Sequence, residues 1–247
     1  ILQIVAPTVW AWRKGRAKKF SLVYDEIFTL FKFENKYFNC HGLKTTFIGH
    51  PIYHISKFQS INYKSYIAFL PGSREKEIKQ LMYFYNLAYK ILLKNYSKKF
   101  IIFIPTLPHL KNLILDNTKY WKIKTIVTTN EKKINESYKN VFVSLTCSGT
   151  ASLEIAKRNI PQLVIYKFNF FTSVIASFLI KVKYANLINI FANKMIIPEL
   201  INFNLNKKNF IREFEKLISD DKRNMQQIYD INKNLNIFEN NKSPYSI

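Results

Sequence analysis

The sequence is poor in the residues that build metal or disulfide sites. Its two cysteines, Cys40 and Cys147, stand far apart, which gives neither a disulfide framework nor metal-ligand spacing and points to a reducing compartment. The four histidines, His41, His50, His54 and His109, are scattered; they read as structural, and no metal is expected. The apolar run Phe170 to Ile180 is closed by Lys167 and Lys181, well short of the roughly 20 residues that a spanning helix needs. Acids are scarce too, 16 against 38 lysines and arginines, which leaves a net charge of +22. Such an excess invites nucleic acid, acidic lipid or phosphorylated substrates. Glycine is limited to 5 residues while Lys, Asn, Ile, Phe and Tyr abound together, a pattern that compositional bias alone also generates. Where the charge sits therefore says more than its sum.

What is present is enough apolar side chain, 48% of 247 residues, for one large domain or two small ones with real cores, and this excludes general disorder. The opening "ILQIVAP" is strand-like, with no initiator methionine, charged leader or cleavage pattern, so the chain reads as starting inside a domain. From Tyr66 onward strands and helices alternate. "YIAFL" is a strand, the turn "PGSR" follows, and Glu75 to Tyr96 is helical, with Ile78, Leu81, Met82, Tyr85, Ala88 and Leu92 on one face. Further strands are predicted at 100–104, 123–127, 141–145 and 162–166, with helices between them. Continuous apolar strands separated by amphipathic helices predict a parallel sheet covered on both faces, a Rossmann-like doubly wound domain. Residues 1–55 read as a separate piece with short strands and a helix over a basic cluster, and His54 to Tyr63 as a linker. Residues 206–247 read as C-terminal helices and a fraying tail, with Phe210, Ile211, Phe214, Leu217 and Ile218 on one helical face.

In an open parallel sheet, ligands bind where strands end and helices begin. Two loops fit. Gly72, Ser73 and Arg74 offer close backbone approach, a hydroxyl and a guanidinium fork suited to phosphate oxygens. Ser148, Gly149 and Thr150 open a helix whose free N–H groups favour an anion. Together they suit a diphosphate. Glu154, one turn into that second helix, is placed to reach a ribose hydroxyl, whereas Glu75 and Glu77 are accounted for by the dipole of their own helix. The stretch "TVWAWRKGRAKKF" sets Trp10 and Trp12 beside Arg13, Lys14, Arg16, Lys18 and Lys19, with no acid between residues 1 and 20.

Taken in order, "APTVWAWRKGRAKKF", "FIGHP", "LPGSREKEI", "CSGTASLE", "PQLVIYK" and "IPEL" resemble the lipid-A-disaccharide synthase family over nearly the whole chain. The resemblance implies a GT-B glycosyltransferase, two Rossmann-like domains, the N-terminal one incomplete here: 1–55 its remainder, 56–205 the UDP-sugar-binding domain. It implies an inverting transfer of 2,3-diacylglucosamine from UDP to 2,3-diacylglucosamine 1-phosphate, giving a β-1,6 disaccharide and UDP, without a cofactor. It further implies a Gram-negative enzyme, peripheral on the cytoplasmic face of the inner membrane, and is compatible with a homodimer. Carried over by residue, Gly72, Ser73, Arg74, Ser148, Gly149 and Thr150 hold the nucleotide diphosphate and Glu154 the ribose, while Asn189 and Glu199 line the donor side. Arg74 stabilises the leaving group, and the general base is unassigned, expected in a region preceding this chain. Trp10 through Lys19 address acceptor phosphate on one helical face and anionic lipid on another.

The sequence departs from the family where Ile188 and Lys32 replace usual prolines. Another UDP-sugar transferase of the same architecture, the lipid II-forming one for example, lacks the "WAWRKGRAKK" signature. A nucleic-acid-binding protein is suggested only by net charge, and no recognised RNA or DNA motif is present.

Overall fold

The computed structural model describes residues 1–9, 15–55, 65–96, 99–147, 149–167 and 184–235. Its described residues fall into two compact units, one built from residues 1–55 with 233–235 and the other lying between 65 and 232. The predicted linker from His54 falls almost wholly outside the described residues, as do the Phe170 to Ile180 run and the tail beyond Leu235.

The first unit carries a parallel three-stranded sheet in the order β1 (Leu2–Gln3), β2 (Glu26–Thr29), β3 (Lys44–Phe47). Helices α1 (Arg16–Ser21) and α2 (Asn35–Asn39) connect the strands, and Val9, Ala17, Ile27, Phe38 and Leu43 pack together as the core. The "FKFE" stretch forms a 3-10 turn over Lys32–Glu34. Glu34 is buried and accepts the N–H groups of Leu30 and Phe31, which the turn would otherwise leave open. His50 Nδ1 accepts the N–H of Ile52, and burial lowers its pKa.

The second unit is one six-stranded, all-parallel sheet. Its strands are β4 (Tyr66–Leu70), β5 (Ile101–Pro105), β6 (Thr125–Thr128), β7 (Val141–Cys147), β8 (Gln162–Tyr166) and β9 (Glu199–Ile201), in the order β6-β5-β4-β7-β8-β9. Renumbered within the unit this is 3-2-1-4-5-6, the doubly wound order, with its reversal between β4 and β7. Period-two side-chain direction splits the strands between two faces. Ile67, Phe69, Val143, Leu145 and Ile165 meet α3 (Glu75–Tyr96) and α4 (Lys111–Thr118) on one side. Ala68, Leu70 and Phe103 meet α5 (Glu131–Tyr138) and α6 (Thr150–Lys157) on the other.

Two expectations need correction. The sheet has a sixth strand, β9, which is too short for its apolar pattern to stand out in sequence, and α7 (Leu187–Ala192) precedes it. The proposed boundary at 205/206 is not a domain boundary either. Helix α8 (Lys207–Ser219) inserts Phe210, Phe214, Leu217 and Ile218 into the main core of the second unit, Phe210 lying 5.2 Å from Phe84 of α3 ring to ring. Helix α9 (Asp221–Asn234) follows, and Gln227 exchanges hydrogen bonds with the backbone of Gln162 at the start of β8. With few glycines, the chain uses asparagine where the left-handed region is required: Asn159, Asn193 and Asn202 have φ of 57°, 48° and 49°. Asparagine tolerates that region better than other residues with a Cβ, and Asn193 ends α7 as glycine commonly does.

Tyr85, fully buried on α3, donates its hydroxyl to the carbonyl of Leu70 at 2.8 Å, with Leu145 at 3.3 Å, and so joins the carboxyl ends of β4 and β7. Tyr85→Phe removes that donor without changing the packing. It is expected to cost about 1–3 kcal/mol, read from urea unfolding; an unchanged midpoint would mean the hydroxyl contributes nothing at the junction.

Candidate functional site

The two loops singled out in sequence leave the ends of β4 and β7, which pair directly through Leu70 and Thr146. They therefore sit side by side at the reversal point, where the flanking crossovers diverge to opposite faces and leave a crevice. Ser148 lies outside the described residues, as do Trp10, Trp12, Arg13 and Lys14. The remaining loop residues are placed together.

Gly72 has φ +124°, a region closed to most side chains, and a Cβ there would lie 2.8 Å from Glu77 Oε2 and 2.9 Å from Glu77 Cβ. Only glycine lets the turn close over that carboxylate. Glu77 in turn accepts the Ser73 N–H at 3.2 Å through Oε2 and pairs with Arg74 Nη1 at 2.8 Å through Oε1. Its side chain is only 14% exposed, while that of Arg74 is 76% exposed, so the guanidinium is tethered at one nitrogen and open to solvent elsewhere. The helix dipole thus accounts for only part of Glu77. Glu75, read alike in the sequence, does behave as a surface acid and pairs with Lys79 in the next turn. The sequence signal that separates the two is spacing: Glu77 lies three residues after Arg74, and Glu75 directly follows it.

On the neighbouring strand Cys147 lies below the same glycine, its Sγ 3.6 Å from where a Gly72 Cβ would be. Burial, with the nearby Glu77 charge, pushes its thiol up to about 12, so it is a packed thiol and not a nucleophile at neutral pH. Tyr166, closing β8, feels Glu77, Cys147 and Arg74 as well, and burial raises its phenol.

Gly149 has φ +147°, and a Cβ added there would meet no atom of the described residues within 4 Å, so among them its need for glycine is conformational. Its carbonyl accepts both the N–H and the hydroxyl of Ser152, which anchors the first turn of α6. Ser152 Oγ also receives Asn186 Nδ2 at 3.0 Å. Asn186 caps α7 by accepting the N–H of Ile188, a bond that the family's usual proline at that position could not make. Glu199 holds the same turn, accepting the N–H groups of Ala185 and Asn186; burial raises its pKa, and those hydrogen bonds oppose the rise. Asn189, fully buried, spends its amide on the N–H groups of Ile196 and Ile197 and the carbonyl of Ile197. Glu199 and Asn189 thus shape the segment beside α6 and β9, bonded to its backbone and to each other.

Glu154 is half-buried on α6 and accepts no hydrogen bond among the described residues. Burial raises its pKa despite Arg158 one turn on, whose guanidinium lies over the Tyr138 ring at 4.6 Å. A carboxylate held in this state gains from hydroxyl donors brought by a ligand. In the first unit Arg16, Lys18 and Lys19 are exposed on α1, and none forms an ion pair among the described residues; Arg16 lies 5.7 Å above the Phe20 ring.

The loops and the acid beside them can be tested through stability. Gly72→Ala and Gly149→Ala each force a side chain into a disfavoured backbone region, at about 1–3 kcal/mol, and Gly72→Ala should cost the more because Glu77 must also move; equal losses in urea unfolding would show that the contact is relieved freely. For Glu154, a raised folded pKa means that ionisation opposes folding: the cost is absent below the ordinary value near 4.5 and complete above the folded pKa. Glu154→Gln should therefore be more stable than the unsubstituted chain at pH 7, with the difference vanishing near pH 4 in paired denaturation curves.

The profile of the lipid-A-disaccharide synthetase family matches residues 1–245. The lipid-A-disaccharide synthase of Acinetobacter baylyi is 33% identical, with 95% of this chain and 64% of that protein covered. That of Rickettsia typhi is 32% identical over 99% of this chain and 67% of its own length, and that of Rhodospirillum centenum 26% over 92% and 59%. The chain thus spans about 59–67% of the length of these relatives. Among solved structures it resembles the S. aureus MnaA–UDP co-structure (TM-score 0.55, 16% identity, 89% of this chain and 58% of that one). It also resembles Acinetobacter baumannii MurG (0.52, 11%, 94% and 61%), and at these identities the likeness concerns the fold, which is α/β of the GT-B type. With its motifs, its doubly wound sheet and this match along nearly all its length, the chain belongs to the lipid-A-disaccharide synthetase family.

Proposed function

We propose that this chain supplies the nucleotide-sugar site of an inverting glycosyltransferase that condenses UDP-2,3-diacylglucosamine with 2,3-diacylglucosamine 1-phosphate to a β-1,6 disaccharide 1-phosphate and UDP. The observation that carries this reading is the pair of glycine loops at the β4/β7 reversal, with Arg74 exposed on the first of them. In this arrangement the diphosphate rests on the N–H groups around Gly72 and Gly149, and Ser148, Thr150 and the hydroxyl of Ser73 add donors. Glu154 accepts the ribose hydroxyls, and their hydrogen bonds offset the cost of its burial.

Chemically, the sugar 6-hydroxyl must lose a proton to a base while the bond from the anomeric carbon to the diphosphate oxygen breaks. Negative charge grows on the departing UDP. Arg74 and the preset backbone donors stabilise that charge more than the ground state, which is the condition for accelerating the step. The base is not assigned to a residue of this chain.

The basic end of the first unit suits a second role in the same reading, contact with an anionic membrane surface on the cytoplasmic side. Arg16, Lys18 and Lys19 offer exposed charge on α1, and Leu22 and Val23, 80% and 56% exposed, follow it directly. Among the described residues no helix is long and apolar enough to cross a membrane.

Calorimetry with UDP tests the nucleotide site. Saturable binding is expected, weakened at least about tenfold in Arg74→Ala, the scale of a lost charged hydrogen bond. Equal affinity of both proteins would remove Arg74 from the site, and absence of binding by the folded, unsubstituted chain would overturn the reading.

A further inference from the structure

We infer that Glu77 is a positioning residue of the nucleotide site, acting on the diphosphate through Arg74 and the Ser73 N–H; this rests on the nucleotide reading above. Arg74 is the exposed cation at the crevice, and an arginine so exposed would ordinarily sample many rotamers. Fixing it on ligand binding costs side-chain entropy. Glu77 Oε1 accepts from Nη1 at 2.8 Å, which leaves the other guanidinium nitrogens to meet phosphate oxygens.

The carboxylate is itself well fixed. It is largely buried, lies on the long helix α3 and sits in the space that Gly72 leaves by lacking a Cβ. Its second oxygen takes the Ser73 N–H, so the same group sets the backbone of the loop and the direction of its charged side chain. One carboxylate thus makes loop shape and guanidinium aim interdependent. Glycine at 72 belongs to the same device, because a Cβ there would occupy the place of the carboxylate.

Glu77→Gln tests this, since its amide oxygen can still accept the Ser73 N–H but no longer opposes the guanidinium charge. In the ligand-free protein, 15N relaxation of the Arg74 Nε–H is expected to show restricted motion that Glu77→Gln releases, while Glu75→Gln, in the same turn of α3 but paired with Lys79, leaves it unchanged. UDP affinity should fall roughly threefold to tenfold in Glu77→Gln and not fall further when Glu77→Gln is added to Arg74→Ala. Equal restriction of Arg74 in both proteins, or the same loss of affinity in the Arg74→Ala background, would overturn the positioning role alone. Failure of the unsubstituted chain to bind UDP would overturn the nucleotide reading and this inference with it.

Discussion

The pairing of β4 with β7 is the constraint from which the rest of the site follows. It is the place in the sheet where neighbouring strands send their crossovers to opposite faces, so that the helices following β4 and β7 part. Tyr85 reaches from α3 to the carbonyls at both strand ends, and burial holds its phenol in the protonated, donating form. The contact ties the longest helix of the unit to the junction whose loops it must support.

Around that junction the two loops are stabilised by different means. The first is shaped by a single carboxylate, Glu77, folded beneath a glycine. The second is shaped by a relay of neutral and charged groups running from Gly149 through Ser152 and Asn186 to Glu199. Buried polar groups carry a penalty unless they are paired, and each member of this relay is paired with backbone or with the next member. The relay also shows how a departure from the family pattern is absorbed: Ile188 brings an N–H that proline lacks, and Asn186 accepts it.

Charge is arranged differently in the two units. At the crevice, cation and anion are balanced locally, Arg74 against Glu77, so that electrostatic attraction there is directional. On α1 three cations stand exposed beside Leu22 and Val23 with no acid in the helix, an arrangement that acts through accumulated charge and not through aim.

Much of this was legible from the order of residues. Helix α3 runs from Glu75 to Tyr96 and strand β8 from Gln162 to Tyr166 as periodicity predicts, because a 3.6-residue apolar repeat and a continuous apolar run each satisfy only one kind of element here. The two glycine loops were legible because glycine is rare in this chain and stands at the ends of predicted strands. Strand β9 was not legible, since three residues carry no period, and α8 was legible as a helix but not as part of the core, because its apolar stripe gives no indication of which core it enters. The sequence by itself determined the parallel α/β character, the two glycine loops and the family resemblance, all of which depend on local pattern. Tertiary structure alone decided that Glu77 folds beneath Gly72 to take the Ser73 N–H, and that Asn189 and Glu199 meet the backbone of the segments beside them. Those outcomes depend on which groups meet in space once the strand order places β7 beside β4.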